Sequence, residues 1–307
     1  MAYVLQRTDS LSEALRGVAL EQIDIAINAV EDPACPAASR THGVRRCCKR
    51  LRGLLRLVEP GLKPNLKCEE KFVRRAAARL ARYRDARVML ETHQNILVGL
   101  SMDDTDELAL LTNRLQQAVV DAERGDTFLQ ALEEAATDLE IVWQRAASWH
   151  LKDQARKIIS KGYALTYQRA LTGQQHAFTK YDARSFHQWR AQVKYHHMHA
   201  HLLQSVWPLT LAARAQAAGE LADTLGHAND LTAYADGLIC SRSAAELVNV
   251  LINNALQKRN HLWTQAQNLG ERLFHQPAKV VGKDMAKLWR LSQPTATAAG
   301  VNPPAIP

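Results

Sequence analysis

The stretch His42-Gly-Val-Arg45-Arg46-Cys-Cys-Lys49-Arg50-Leu-Arg52-Gly-Leu-Leu-Arg56 decides how this chain folds. His42, Arg45, Lys49, Arg52 and Arg56 follow the spacing i, i+3, i+7, i+10, i+14. On a helix of 3.6 residues per turn that confines them to a sector of about 80°. Val44, Cys47, Leu51, Leu54, Leu55 and Val58 fall on the opposite side. The segment reads as an amphipathic helix with one core face and one cationic face. Arg46 and Arg50 widen the band, and no acid lies between Thr41 and Val58 to offset it. Like charges at helical spacing repel, so an anion held along this face would relieve the repulsion. The bland alternative is an ordinary solvated basic face.

The same spacing returns 145 positions later, in His187-Gln-Trp-Arg190-Ala-Gln-Val-Lys194-Tyr-His-His197-Met-His-Ala-His201. Here His187, Arg190, Lys194, His197 and His201 share the sector, while Trp189, Val193 and Leu203 mark the core face. His196 lies near that core face and reads as a packed, hydrogen-bonded histidine. A second motif repeats at the same offset: Leu80-Ala-Arg-Tyr-Arg84-Asp85 against Leu225-Gly-His-Ala-Asn-Asp230. Two motifs at one offset argue for duplicated halves. The remaining segments carry apolar residues at helical spacing. They predict helices near 10–31, 38–58, 67–97, 104–140, 145–172, 182–205, 210–238, 242–275 and 279–291. A Ser10-x-x-Glu13 capping box opens the first, and no run alternates as a strand would. The chain is therefore all-α. The expected division is 1–142 and 143–291, followed by a disordered tail at 292–307, rich in Pro and Ala.

Charge is unevenly spread. The formal net charge is +8. Residues 40–90 hold 16 Lys/Arg against 4 Asp/Glu, whereas 101–140 hold 2 against 11. The basic part suits an anionic partner, and the acidic part reads most simply as solvated helices. The five cysteines form no CxxC motif and suggest no disulfide framework, which fits a reducing cytosol. No secretory signal and no apolar run of membrane-spanning length appears, so the chain is expected to be cytoplasmic, without a membrane partner.

Neighbouring helices add cations that could line a long channel with the stripes: Arg75, Arg79, Arg82 and Arg84; Lys157, Lys161 and Arg169; and Lys258, Arg259 and Arg272. Asp85 and Asp230 read as structural acids, each pairing with an arginine of a basic helix and orienting it. The first stripe is expected to stay charged, while the second leans on histidine and should grip better in mild acid. His197 and His201, at i,i+4, permit a Zn²⁺ or Ni²⁺ site. Arg190 and Lys194 on the same face disfavour it, and no metal or other cofactor is expected. No paired acids, nucleophile constellation or phosphate-cradling glycine loop appears, so the chain is not expected to be an enzyme. The alternatives are a His-cluster metal protein or metal-dependent phosphohydrolase, and a nucleic-acid-binding protein. The scarcity of aromatics on the stripes disfavours single-stranded nucleic acid, where each stacked base is worth about 1–3 kcal/mol.

These motifs resemble the conserved-histidine α-helical domain, or CHAD, family. The likeness lies in His42-x-x-Arg45-x-x-x-Lys49-Arg50-x-Arg52, His187-x-x-Arg190-x-x-x-Lys194-x-x-His197, Leu80–Asp85 and Leu225–Asp230. Segments 158–171 and 257–275 are also similar, and the resemblance covers roughly 8–291. It implies two four-helix bundles related by a pseudo-two-fold axis, with a basic pore or groove between them. It further implies binding of inorganic polyphosphate, often on polyphosphate granules. The E-x-E-x-K signature of the triphosphatase domain fused to some members is absent, so hydrolysis is not carried over. Where members often have Arg-Tyr late in the second block, this chain has His197-Met198.

Overall fold

The computed structural model describes residues 3–6, 10–32, 34–62, 66–98, 100, 106–124, 126–151, 154–240 and 246–292. Among them are α1 (Leu11–Glu31), α2 (Ala37–Leu57), α3 (Glu59–Leu62), α4 (Leu66–Arg79), α5 (Ala81–Val98) and α6 (Asp106–Glu123). The chain continues through α7 (Asp126–Ala146), α8 (Ala155–Lys180), α9 (Ala183–Leu202), α10 (Pro208–Cys240), α11 (Glu246–Leu273) and α12 (Ala278–Leu291). No strand occurs among the described residues.

Local signals explain the starts of α1 and α9. The Ser10 side chain caps α1 by accepting from the Glu13 backbone N–H, and Asp182 caps α9 through the Ser185 N–H at 2.7 Å, each satisfying a first-turn donor. Leu51, Leu54 and Leu55 of α2 are completely buried, each contributing about 2 kcal/mol of apolar burial. That anchoring turns the opposite, cationic face outward.

Three expected helices are placed differently. The single helix at 67–97 is two, α4 and α5, broken at Leu80; the break lets α4 pack on α7 while α5 packs on α6 and α10. The single helix at 104–140 is also two, α6 and α7. The helix expected at 145–172 begins at Ala155 and runs on to Lys180. Residues before it form a connection that seats Trp149 and Leu151 in the core, the latter's N–H donating to Ser12 Oγ at 2.9 Å. Gly173, just past the expected end, sits within the helix where α8 crosses Trp189. The tail from 293 to 307 lies outside the described residues.

Shifted by 145 positions, α1 falls within α8, α2 on α9, α4 with α5 on α10, α6 within α11, and α7 overlaps α12. The packing repeats too: α1 on α2 as α8 on α9, α2 on α4 as α9 on α10, α5 on α6 as α10 on α11. The cores do not divide along the sequence halves, however. The larger core joins Leu15, Leu51, Leu55, Val73 and Leu139 to Ile159, Tyr163, Trp189 and Leu225. A smaller one joins Ile96 and Leu108 to Tyr234, Leu238 and Leu251. Direct bonds stitch the seam. His199 Nε2 donates to Gly53 O at 2.9 Å, and the Leu5 N–H donates to Leu202 O at 2.8 Å. A methyl group at Gly162 would overlap the carbonyl oxygen of Leu57.

Candidate functional site

The two stripe helices, α2 and α9, pack against each other, and so do α5 and α10, which carry the repeated aspartates. Their meeting brings Arg45 and Lys49 of α2 within electrostatic reach of Arg84 of α5, with Arg190 and Lys194 of α9 acting on Lys49 or being acted on by it. Burial, then Arg45, Arg190 and Arg84, pull the Lys49 ammonium down to about 8, with Asp230 opposing. Burial, then Arg190 and Lys49, pull Lys194 down to about 7, with Asp223 opposing. Arg190 and Arg45 are lowered as well, burial again coming first. His187 is held below its ordinary value by burial and by Arg190, Arg84 and Lys194, and His42 by burial, Arg46 and Lys49. All these shifts have one physical cause: cations are crowded into partly desolvated space with too few carboxylates.

Two clefts meet at Arg46 and Lys49. One, about 770 Å³, is lined by His42, Arg45, Arg46, Lys49, Arg84 and Arg87. The other, about 430 Å³, is lined by Arg46, Lys49, Arg50, Lys194, His197 and His201. Each half of the sequence thus contributes cations around the shared Arg46 and Lys49, while His187 and Arg190 line neither cleft. Gly226 makes room for the Arg190 guanidinium, since a Cβ there would stand 2.9 Å from its Nη2.

The CHAD domain family model matches residues 25–238, which include all of α2, α5 and α9 and nearly all of α10. The chain belongs to the CHAD family. It is similar in fold to the crystal structure of the CHAD domain from the plant Ricinus communis, with a TM-score of 0.66 at 20% identity, over 90% of this chain and 95% of that one. No curated protein matches the sequence.

Within this CHAD chain, several cations read as channel-lining are engaged elsewhere. Arg56 bonds Glu59 and Glu70, and Arg169 bonds Glu59 at 2.7 Å. Arg75 and Arg79 both clasp Asp138, the latter at 2.8 Å, and Arg79 also pairs with Glu134, fastening α4 to α7. These buried carboxylates lie outside the stripes, so spacing within the stripes does not reveal them. Arg82 lies over the Tyr83 ring and Arg52 over Tyr195. Arg259 lies over Trp263, a residue of the larger core, at 4.4 Å. Lys157 and Lys161 are exposed on α8 and line neither cleft.

Asp85 and Asp230 are paired, but not with a stripe arginine. Both bond Arg84 of α5, at 3.3 and 3.1 Å, and the Asp230 pair bridges the two halves. Helical projection orders residues on one helix and cannot see this partner on another. His196 is buried as read and accepts from Arg214 Nε at 2.9 Å. His197 Nδ1 donates to Ala215 O at 2.8 Å, and its ring stands edge-on to His201 with centroids 4.7 Å apart. Among the described residues, no three His, Cys, Asp or Glu side chains gather to hold a metal ion. The reading of a permanently charged first stripe changes at Lys49, because desolvation rather than residue type sets its charge. The sequence reading also passed over Asp223, Gly226 and Asn229, whose Nδ2 reaches His187 Nδ1 at 3.1 Å.

Proposed function

We propose that this CHAD chain binds inorganic polyphosphate without turning it over, along the joined clefts between α2, α5, α9 and α10. The observation that carries the reading is the convergence of Lys49, Arg84, Arg190 and Lys194, with Asp223 and Asp230 the carboxylates acting on them. Clustered ammonium and guanidinium groups gain most from a ligand whose negative charges are also closely spaced. A polyphosphate chain supplies about one per phosphate, and guanidinium groups bond its oxygens in pairs. The two halves then serve as the two walls of one site, related by a pseudo-two-fold axis and forming a basic channel. The same charge suits association with polyphosphate granules in the cytoplasm. No helix among the described residues is long and apolar enough to cross a membrane.

Calorimetry with long-chain polyphosphate and with duplex DNA at matched ionic strength tests this. Tight, salt-sensitive binding is expected for polyphosphate, with DNA competing poorly. Arg45→Ala combined with Arg190→Ala should weaken binding severely, whereas Arg114→Ala, on the exposed side of α6, should not. Equal affinity for the two polymers, or equal loss from both substitutions, would overturn the proposal.

A further inference from the structure

A third cleft, about 800 Å³, opens between α5, α10 and α11 and shares Val88 and Glu91 with the cationic cleft beside Arg84. Its chemistry is unlike that of the stripes. Ile96, Leu231 and Leu262 give it apolar walls, and Asn95, Asn254 and Gln257 project amides into it. Its volume lies in the range of small-molecule sites, about 300–1,000 Å³, and apolar walls with a few convergent polar groups are their usual composition. At the end nearest the cations stand Glu91 and Asp230, the acidic type that accepts bonds from ribose hydroxyls.

We infer that this cleft receives the nucleoside part of a nucleoside polyphosphate whose phosphates lie among the cations of α2 and α5. The base sits between the leucine and isoleucine side chains and bonds the amides through its edge. The sugar hydroxyls meet the carboxylates, and the phosphate tail passes Val88 towards Arg84, Arg45 and Lys49. The phosphate end of this inference rests on the polyphosphate reading above; the nucleoside end does not.

The test compares ATP, tripolyphosphate and adenosine on the full chain, by calorimetry at fixed ionic strength without divalent ions. Tripolyphosphate carries the greater negative charge, so electrostatics alone would favour it. The inference expects ATP to bind at least about tenfold more tightly, the effect of two or so net hydrogen bonds. Gln257→Ala and Asn95→Ala, both exposed positions, should each reduce that advantage, leaving tripolyphosphate affinity and thermal stability unchanged. ATP binding no tighter than tripolyphosphate, or an advantage that survives both substitutions, overturns the inference and leaves the polyphosphate reading intact. ATP binding that depends on Gln257, with tripolyphosphate and long-chain polyphosphate failing to bind, sustains the inference and overturns the polyphosphate reading. No binding by any of them overturns both.

Discussion

Raising the pH from 6 to 8 should release polyphosphate, and the two central lysines set by how much. In the free protein Lys194 gives up its proton near 7 and Lys49 near 8. Seated against phosphate, each regains the ordinary lysine value near about 10.4, because the anion favours the charged form. Binding must therefore reprotonate whatever fraction is neutral. At pH 8 that weakens affinity by about tenfold through Lys194 and about twofold through Lys49, or about twentyfold together relative to pH 6. His42, His187 and His201 are all lowered by burial and neighbouring cations and act in the same direction. Asp223 and Asp230 are the carboxylates that act on these two lysines. Calorimetry in two buffers of different ionisation enthalpy should report uptake of about 1.4 protons per site at pH 8, the sum of the two neutral fractions. Long chains keep terminal phosphate titration negligible. Lys194→Arg fixes one charge and should leave only about a twofold fall. Affinity flat from pH 6 to 8 with no buffer-dependent heat would refute the reasoning, as would a Lys194→Arg variant with the full pH dependence.

Three further outcomes are expected. Gly226→Ala should weaken polyphosphate binding, because its Cβ displaces the Arg190 guanidinium; removing a glycine from a helix interior should at the same time raise stability by up to about 1 kcal/mol, so calorimetry and the melting temperature should move in opposite senses. Asp138→Asn should lower unfolding free energy by about 3 kcal/mol in a denaturant titration, the low end for a broken buried pair since Arg75 and Arg79 reach solvent, with polyphosphate affinity unchanged. His93, His196 and His199 are buried, with values below the ordinary one, His199 at about 4. Their neutral forms hold the fold fully above about pH 6.5, and stability should fall below it by up to about 1.4 kcal/mol per pH unit for each histidine; melting temperatures at pH 7, 5.5 and 4.5 measure this.

The helical architecture was legible because its cause is periodic. Leu51, Leu54 and Leu55 announce a buried face three and four residues apart, and the Ser10 cap and Asp182 act within one turn. The break at Leu80 was not legible, because it follows from α4 and α5 packing on different partners rather than from a proline or glycine at that point. Of the candidate site, the stripe residues were legible by spacing, and the structure brings Arg45, Arg190 and Lys194 within electrostatic reach of Lys49. What stayed hidden was which cations are already neutralised. Arg56, Arg75, Arg79 and Arg169 look the same in sequence as Arg45, and only the distant Glu59, Glu70 and Asp138 separate them. Arg214, outside both stripes, shows the converse: it bonds buried His196 and Leu273 O, so its removal tests folding rather than binding.

The contact of Gly162 with the Leu57 carbonyl has a kinetic meaning. With backbone against backbone at the seam and the larger core running through both halves, opening the clefts for a ligand would break packed contacts. Capture should then be a matter of encounter and steering, fast at low ionic strength and slowing as salt screens the cations. A polymer that is flexible would bring all the ordering to the complex, and the protein almost none. Such a rigid receptor distinguishes partners by how long they stay, so chain length should register in the dissociation rate far more than in the association rate.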